Sequence, residues 1–211
     1  MKSDPTVFIV DDDLDFRRST QWLLKRSGLR AETFSSAEEF LKDCDPATPG
    51  CVLLDVRMPG MSGLELQQRM AAENWCSPVI IVSGHADVPM AVRAMEAGAA
   101  GFVEKPFSRQ VLLDHVRHAL QQDAEARRQR SLRAEVEASF ATLTAREREV
   151  MELIVGGRTT KEISRLLGAS AKTIEIHRAR VMKKMGVESI ARLVVFAVQY
   201  GLCDPNHVGR G

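Results

Sequence analysis

Between residues 6 and 118 the hydrophobic pattern changes period again and again. Short, nearly continuous apolar runs read as strands over Thr6–Val10, Arg30–Phe34, Cys51–Leu54, Val79–Val82 and Gly101–Val103. Several consist almost wholly of Val, Ile and Leu, as expected of strands covered on both faces. Between them, apolar residues recur at helical spacing over about 14–27, 36–43, 63–73, 88–97 and 108–121. Five such βα repeats with short loops predict an α/β doubly wound, five-stranded parallel sheet with helices on both faces.

The pattern then changes. Residues 121–140 contain neither Gly nor Pro and are rich in Ala, Glu, Arg and Gln. That composition favours helix. Ala124, Leu132, Val136 and Phe140 stand at multiples of four along an otherwise polar stretch. The segment reads as a solvated helical linker continuing the preceding helix, with a dimer-forming coiled coil as the alternative. After Leu143 no strand is evident, and four helices fit: about 145–155, 159–167, 171–185 and 188–200. Thr144 with Glu147 forms a capping-box signature, and Gly156–Gly157, Gly168 and Gly186 stand at helix ends. The organisation expected is therefore a domain over 1–122, a helical linker over 123–140, and an all-α four-helix domain over 141–211.

Composition sharpens this picture in two places. The net charge of +1 averages unlike halves: residues 1–120 hold 13 Lys/Arg against 17 Asp/Glu, and residues 121–211 hold 16 against 11. A basic second half points towards nucleic acid. The four cysteines form no CxxC pair, and buried, reduced thiols are expected. No apolar run approaches the roughly 20 residues a membrane helix needs, and no signal core precedes the acidic cluster, so a cytoplasmic protein is expected.

The candidate chemistry lies at the C-terminal ends of the strands. Asp11, Asp12 and Asp13 follow the first, Asp55 the third, Ser83 ends the fourth and Lys105 closes the fifth. These ends converge on one rim of a parallel sheet. Carboxylates gathered there repel one another unless a cation joins them, and hard oxygen donors suit Mg²⁺. Carboxylate, divalent metal and lysine together can neutralise a transferring phosphoryl group, and a carboxylate can be the nucleophile.

VDDD at 10–13, LLDVRMPGMSG at 53–63, VSGH at 82–85 and FVEKPF at 102–107 resemble the receiver domain of bacterial two-component response regulators. The resemblance implies that Asp55 is the phosphoacceptor. It implies Mg²⁺ bound by the carboxylates of Asp12 and Asp55, by Asp11 mostly through water, and by the backbone carbonyl of Arg57. Ser83 and Lys105 would contact the phosphoryl group, Phe102 would change rotamer with Ser83, and the Lys105–Pro106 bond would be cis. Arg57 and His85 fall where receivers tune the lifetime of the phosphoryl group. An aspartyl-phosphate phosphatase of the haloacid dehalogenase type is a rival reading. Such enzymes carry an acid/base Asp two residues after the nucleophile, where this chain has Arg57.

In the second half, two helices meet through Leu167–Gly168–Ala169–Ser170, a turn of helix-turn-helix type. On the following helix Ile174, Val181 and Met185 should face inward. His177 should be partly packed with its ring hydrogen-bonded, not a metal ligand. Lys172, Glu175, Ile176, Ala179, Arg180 and Lys183 point the other way, with Arg178 and Lys184 towards the flanks. A basic outer face on such a helix can enter the major groove. LTAREREVMELIVGG at 143–157 and KEISRLLGASAKTIEIHRARVMKKMG at 161–186 resemble the LuxR-type helix-turn-helix. Together with the receiver this resembles the NarL/FixJ class, nearest its FixJ-like branch. The resemblance implies base contacts from Glu175, Ile176 and Ala179 and backbone contacts from Lys172, Thr173, Arg178 and Lys183. It also implies a phosphorylation-activated transcription regulator, an activator rather than a repressor. Its partners would be a sensor histidine kinase, double-stranded DNA at an inverted-repeat operator, RNA polymerase, and a second copy of itself after phosphorylation. A constitutive DNA-binding protein whose receiver serves only for interaction is the other rival.

Overall fold

A computed structural model describes residues 4–84 and 88–203. By its contacts the chain divides into two units, Met1–Arg127 and Arg128–Gly211.

The first unit is built on five strands: β1 (Thr6–Val10), β2 (Arg30–Phe34), β3 (Gly50–Asp55), β4 (Val79–Ser83) and β5 (Gly101–Glu104). They form one parallel sheet in the order β2-β1-β3-β4-β5. Its helices are α1 (Leu14–Arg26), α2 (Ala37–Asp43), α3 (Gly63–Ala72), α4 (Val88–Glu96) and the start of α5 (Arg109–Ala141). Every residue of β1, β3 and β4 is buried, so their near-continuous apolar runs serve two cores. Phe8 and Val10 join Phe40, Leu54, Leu66 and Ile81 on one face. Val7 and Ile9 join Leu24, Leu53, Ile80 and Leu112 on the other. The two-residue period is thus intact but hidden, because both faces are apolar.

Helix α5 runs unbroken through the segment expected to be a solvated linker. Its ends are not solvated. Asp123 is buried and accepts the Gly50 backbone N–H at 3.0 Å. The Nε of Arg127 donates to both Asp123 oxygens at 2.9 and 2.8 Å. Its other nitrogens donate to the carbonyls of Ala47 and Thr48, each at 2.8 Å. Val136 and Phe140 pack into the core of the second unit, and only 128–135 is exposed throughout.

That second unit comprises the end of α5 with α6 (Ala145–Val155), α7 (Thr160–Leu167), α8 (Ala171–Lys184) and α9 (Ile190–Gln199). Its core gathers Val150, Met151, Ile154, Ile163, Ile174, Val181, Leu193 and Ala197. Thr144 with Glu147, and Thr159 with Glu162, close capping boxes at the starts of α6 and α7. Ser170 and Ser189 cap α8 and α9, which sets the start of α9 at Ile190 rather than 188.

The cysteines follow expectation only in part. Cys51 and Cys203 are buried, whereas Cys44 and Cys76 are half-buried; none of the four is in a disulfide. Burial pushes the thiols of Cys44 and Cys51 up to about 12 and that of Cys203 up to about 11.

Candidate functional site

Strand register brings the rim residues to one level. Val10 pairs with Leu54, so Asp11 and Asp55 each follow paired residues on adjacent strands. Asp55 pairs with Val82, the residue before Ser83, and Ser83 pairs with Glu104, the residue before Lys105. Lys105 Nζ donates to Asp11 Oδ2 at 2.6 Å and to Asp55 Oδ1 at 2.8 Å. The remaining oxygen of Asp55, Oδ2, accepts the Arg57 backbone N–H at 2.7 Å. Arg57 itself is exposed. The Lys105–Pro106 bond is cis.

The three consecutive aspartates divide the work. Asp11 is buried; its Oδ1 accepts from the Asp13 N–H, and its carbonyl accepts from Arg17. Asp12 stands exposed beside it. Asp13 is the N-cap of α1, accepting from the N–H groups of Asp15 and Phe16. Burial raises the carboxyl of Asp11 above the usual range, and the hydrogen bond from Lys105 only partly offsets this. For Lys105 burial works to lower the ammonium, but its bonds to Asp11 and Asp55 outweigh that and raise it.

Mg²⁺ is the cation that the fold family implies here. Asp11 and Asp55 already converge on one cation, and Asp12 adds a solvent-facing carboxylate alongside. Among the described residues no group of three His, Cys, Asp or Glu side chains is placed to hold a metal ion. An open set of hard oxygens fits Mg²⁺, which keeps several waters and takes only one or two carboxylates.

Ser83 is buried at the same rim, its Oγ 3.8 Å from Met90 Sδ of α4. Phe102 is half-buried and, like Met90, packs against the core on that face. His85 lies outside the described residues.

Three features of this site escaped the sequence reading. Phe16, on α1, lays its ring 3.8 Å from Lys105 Nζ. Its ring in turn meets Phe107 edge-on, at 6.0 Å and 87°. Gly63 begins α3 against the end of β3, where a Cβ would fall 2.0 Å from the Asp55 carbonyl oxygen. The LLDVRMPGMSG segment, which places Gly63 eight residues after Asp55, was the available signal for the glycine; Phe16 carried none.

On α8, Lys172, Thr173, Glu175, Ile176, Ala179, Arg180 and Lys183 are exposed, and Arg178 is half-buried. Ile174, Val181 and Met185 are buried as expected. The turn before α8 is held by Gly168 in the left-handed region (φ 62°), with Ser164 donating to the Ala169 carbonyl and Arg146 to that of Leu167. Two expectations need correction. Lys184 does not flank the outer face: it donates to Glu147 Oε2 at 2.6 Å and to the Thr142 carbonyl at 2.9 Å. His177 does not have its ring satisfied, since its Nδ1 is buried without a hydrogen-bond partner. Glu147 is buried, and the bond from Lys184 holds its carboxyl at about 2, below the usual carboxylate value.

Residues 7–117 match the response regulator receiver domain, and residues 141–197 match the bacterial regulatory proteins of the luxR family. The chain is 44% identical over 196 residues to the transcriptional regulatory protein FixJ of Azorhizobium caulinodans, covering 93% of each. It is 41% identical over 201 residues to nodulation protein W of Bradyrhizobium diazoefficiens, covering 95% of this chain and 88% of the relative. Among solved structures it resembles the response regulator StyR, with a TM-score of 0.87 and 42% identity over 94% of this chain and all of that one. Full-length FixJ from B. japonicum gives a TM-score of 0.59 and 38% identity over 96% of this chain and all of that one. With a receiver domain matched over residues 7–117 and a LuxR-type helix-turn-helix following it in sequence over 141–197, the chain belongs to the NarL/FixJ family of response regulators, whose members are phosphorylation-activated DNA-binding transcription regulators.

Proposed function

We propose that Asp55 is the residue phosphorylated and that α8 is the DNA-reading helix. The observation that carries the first assignment is Lys105 Nζ bridging Asp11 Oδ2 and Asp55 Oδ1 at the strand ends. A carboxylate oxygen of Asp55 forms the new O–P bond as the P–N bond of a kinase phosphohistidine breaks, its electron pair returning to the imidazole nitrogen. Asp12 and Asp55, with Asp11 through water and the Arg57 carbonyl, would hold Mg²⁺, which supplies charge neutralisation at the phosphoryl oxygens. Lys105 adds a positive charge from the other side, and Ser83 offers a hydroxyl.

The added negative charge draws Lys105 and Ser83 towards the phosphoryl oxygens. Ser83 lies beside Met90 of α4, and Phe102 packs with Met90 on the same core face, which supports this route to the α4–β5–α5 surface. That surface exposes Val88, Val92, Met95 and Val111, apolar area suited to a second copy. A phosphorylated dimer binding an inverted repeat follows. Glu175, Ile176 and Ala179 would read bases, while Lys172, Thr173, Arg178 and Lys183 hold the backbone. The regulator then acts as an activator that engages RNA polymerase, in the cytoplasm where kinase and promoter meet; among the described residues no helix is long and apolar enough to cross a membrane. The expected limits of the receiver, linker and DNA-binding domains are 1–122, 123–140 and 141–211.

The test is Mg²⁺-dependent phosphorylation of the full chain by acetyl phosphate, followed by sedimentation and genome-wide DNA capture, with Asp55→Asn in parallel. Phosphorylation, dimerisation and enhanced DNA capture should all vanish in the variant. Persistence of all three in Asp55→Asn would refute the assignment.

A further inference from the structure

The ammonium of Lys105 has three sides to satisfy. Two face carboxylates, Asp11 Oδ2 at 2.6 Å and Asp55 Oδ1 at 2.8 Å. The Phe16 ring lies against it as well, with Nζ 3.8 Å from the ring centroid. Phe16 is half-buried and braced edge-on by Phe107, two residues after Lys105. Both rings pack on the core formed by Leu24, Leu112 and Val116. The ring is therefore fixed by α1 on one side and by the β5–α5 loop on the other.

We infer that Phe16 is a positioning residue for phosphoryl transfer: its ring face holds the Lys105 ammonium over Asp55. This rests on reading Asp55 as the phosphoacceptor. The physical reason lies in what changes during transfer. When Asp55 gains a phosphoryl group, Lys105 must redirect a hydrogen bond from Asp55 Oδ1 to a phosphoryl oxygen. A contact to a third hydrogen-bond acceptor would compete with that redirection. A ring face attracts the cation through its quadrupole and makes no such demand, so the ammonium can swing without losing it. The ring also keeps bulk water from one side of the cation, which strengthens its attraction for the developing charge. Without the ring, the flexible lysine stem has solvent-directed rotamers open to it.

The ordinary alternative is that Phe16 merely fills space on α1. The two readings differ in what fluorine does, because fluorination weakens the ring quadrupole while leaving its shape nearly unchanged. The full chain is prepared with phenylalanine, mono-, di- and trifluorophenylalanine at position 16, and as Phe16→Leu and Phe16→Trp. Phosphorylation by acetyl phosphate in Mg²⁺ buffer is timed for each, with Asp55→Asn as control. Phe16→Leu should slow the reaction about 3- to 10-fold, with Phe16→Trp close to the parent protein. The fluorinated series should slow it stepwise with each fluorine.

In the metal-free parent protein, the ε-methylene protons of Lys105 should resonate upfield through the ring current and return to normal in Phe16→Leu. Should Phe16→Leu fail to fold, the fluorinated rings still decide the matter. An unchanged rate across the fluorinated series, with Asp55→Asn inert, would overturn the role of Phe16 alone, as would ordinary Lys105 shifts in the parent protein. Phosphorylation of Asp55→Asn would instead overturn the reading of Asp55.

Discussion

At the scale of single residues, the rim is crowded by design of the backbone as much as of side chains. Gly63 lies so close to Asp55 that a Cβ would stand 2.0 Å from its carbonyl oxygen and 2.9 Å from its carbonyl carbon. Backbone cannot move aside as a side-chain tip can, so either α3 or the end of β3 must shift. Gly63→Ala should therefore cost about 1–3 kcal/mol of stability, the usual range for overpacking. Where the end of β3 gives way Asp55 moves with it, so phosphorylation by acetyl phosphate should slow as well. Thermal melts and timed phosphorylation check both, and an unchanged rate with a lowered melting temperature would separate packing from the site. Asp13 is the contrasting case among the acidic residues: its carboxylate caps α1, so Asp13→Ala should cost about 1 kcal/mol. Its effect on phosphorylation should be smaller than that of Asp11→Ala, which removes a carboxylate bonded to Lys105.

At the scale of elements, sequence alone disclosed much. The apolar runs located all five strands, and the Ser, Thr and Gly punctuation located the helices of the second unit, because caps and left-handed turns are local signals. Asp11, Asp55, Ser83 and Lys105 were legible for the same reason, each being fixed by its place at a strand end. What stayed hidden depends on partners distant in sequence. Glu147 reads as a capping residue, and nothing local says that Lys184, 37 residues on, will bond to it. Asp123 and Arg127 belong to the segment that reads as a solvated linker until Ala47, Thr48 and Gly50 are placed against them. Both pairs anchor helices. Arg127→Ala would leave Asp123 buried beside the Gly50 N–H without its guanidinium partner. Amides of α5 from about residue 123 to 135 should then exchange faster with solvent, while those of 110–120, packed by Leu112 and Val116, should not. Hydrogen-exchange mass spectrometry reads this directly, and uniform protection along α5 would argue that the clamp is dispensable.

For the whole molecule, the separation of cores has a thermodynamic consequence. Val7, Phe8 and their neighbours hold the first unit, and Val150, Ile163, Ile174 and Leu193 hold the second, with no residue common to both sets. Single domains unfold in one step because one core fails as a whole; two cores need not fail together. Calorimetry of the full chain should show two transitions. Mg²⁺ with beryllofluoride, a phosphoryl mimic, should raise only the one belonging to the sheet, since a ligand stabilises the state that binds it. Glu147→Gln should lower only the other, by about 1–3 kcal/mol, through loss of a charge-assisted bond to Lys184. The sign of its pH dependence follows from the direction of the shift. The carboxyl of Glu147 is held at about 2 in the folded chain against 4.5 when unperturbed. Its contribution is complete above 4.5 and is lost as pH falls from there towards about 2. The gap between parent and Glu147→Gln in the second transition should therefore narrow with acid over that range. A single transition moved by both beryllofluoride and Glu147→Gln would mean that the two cores unfold as one.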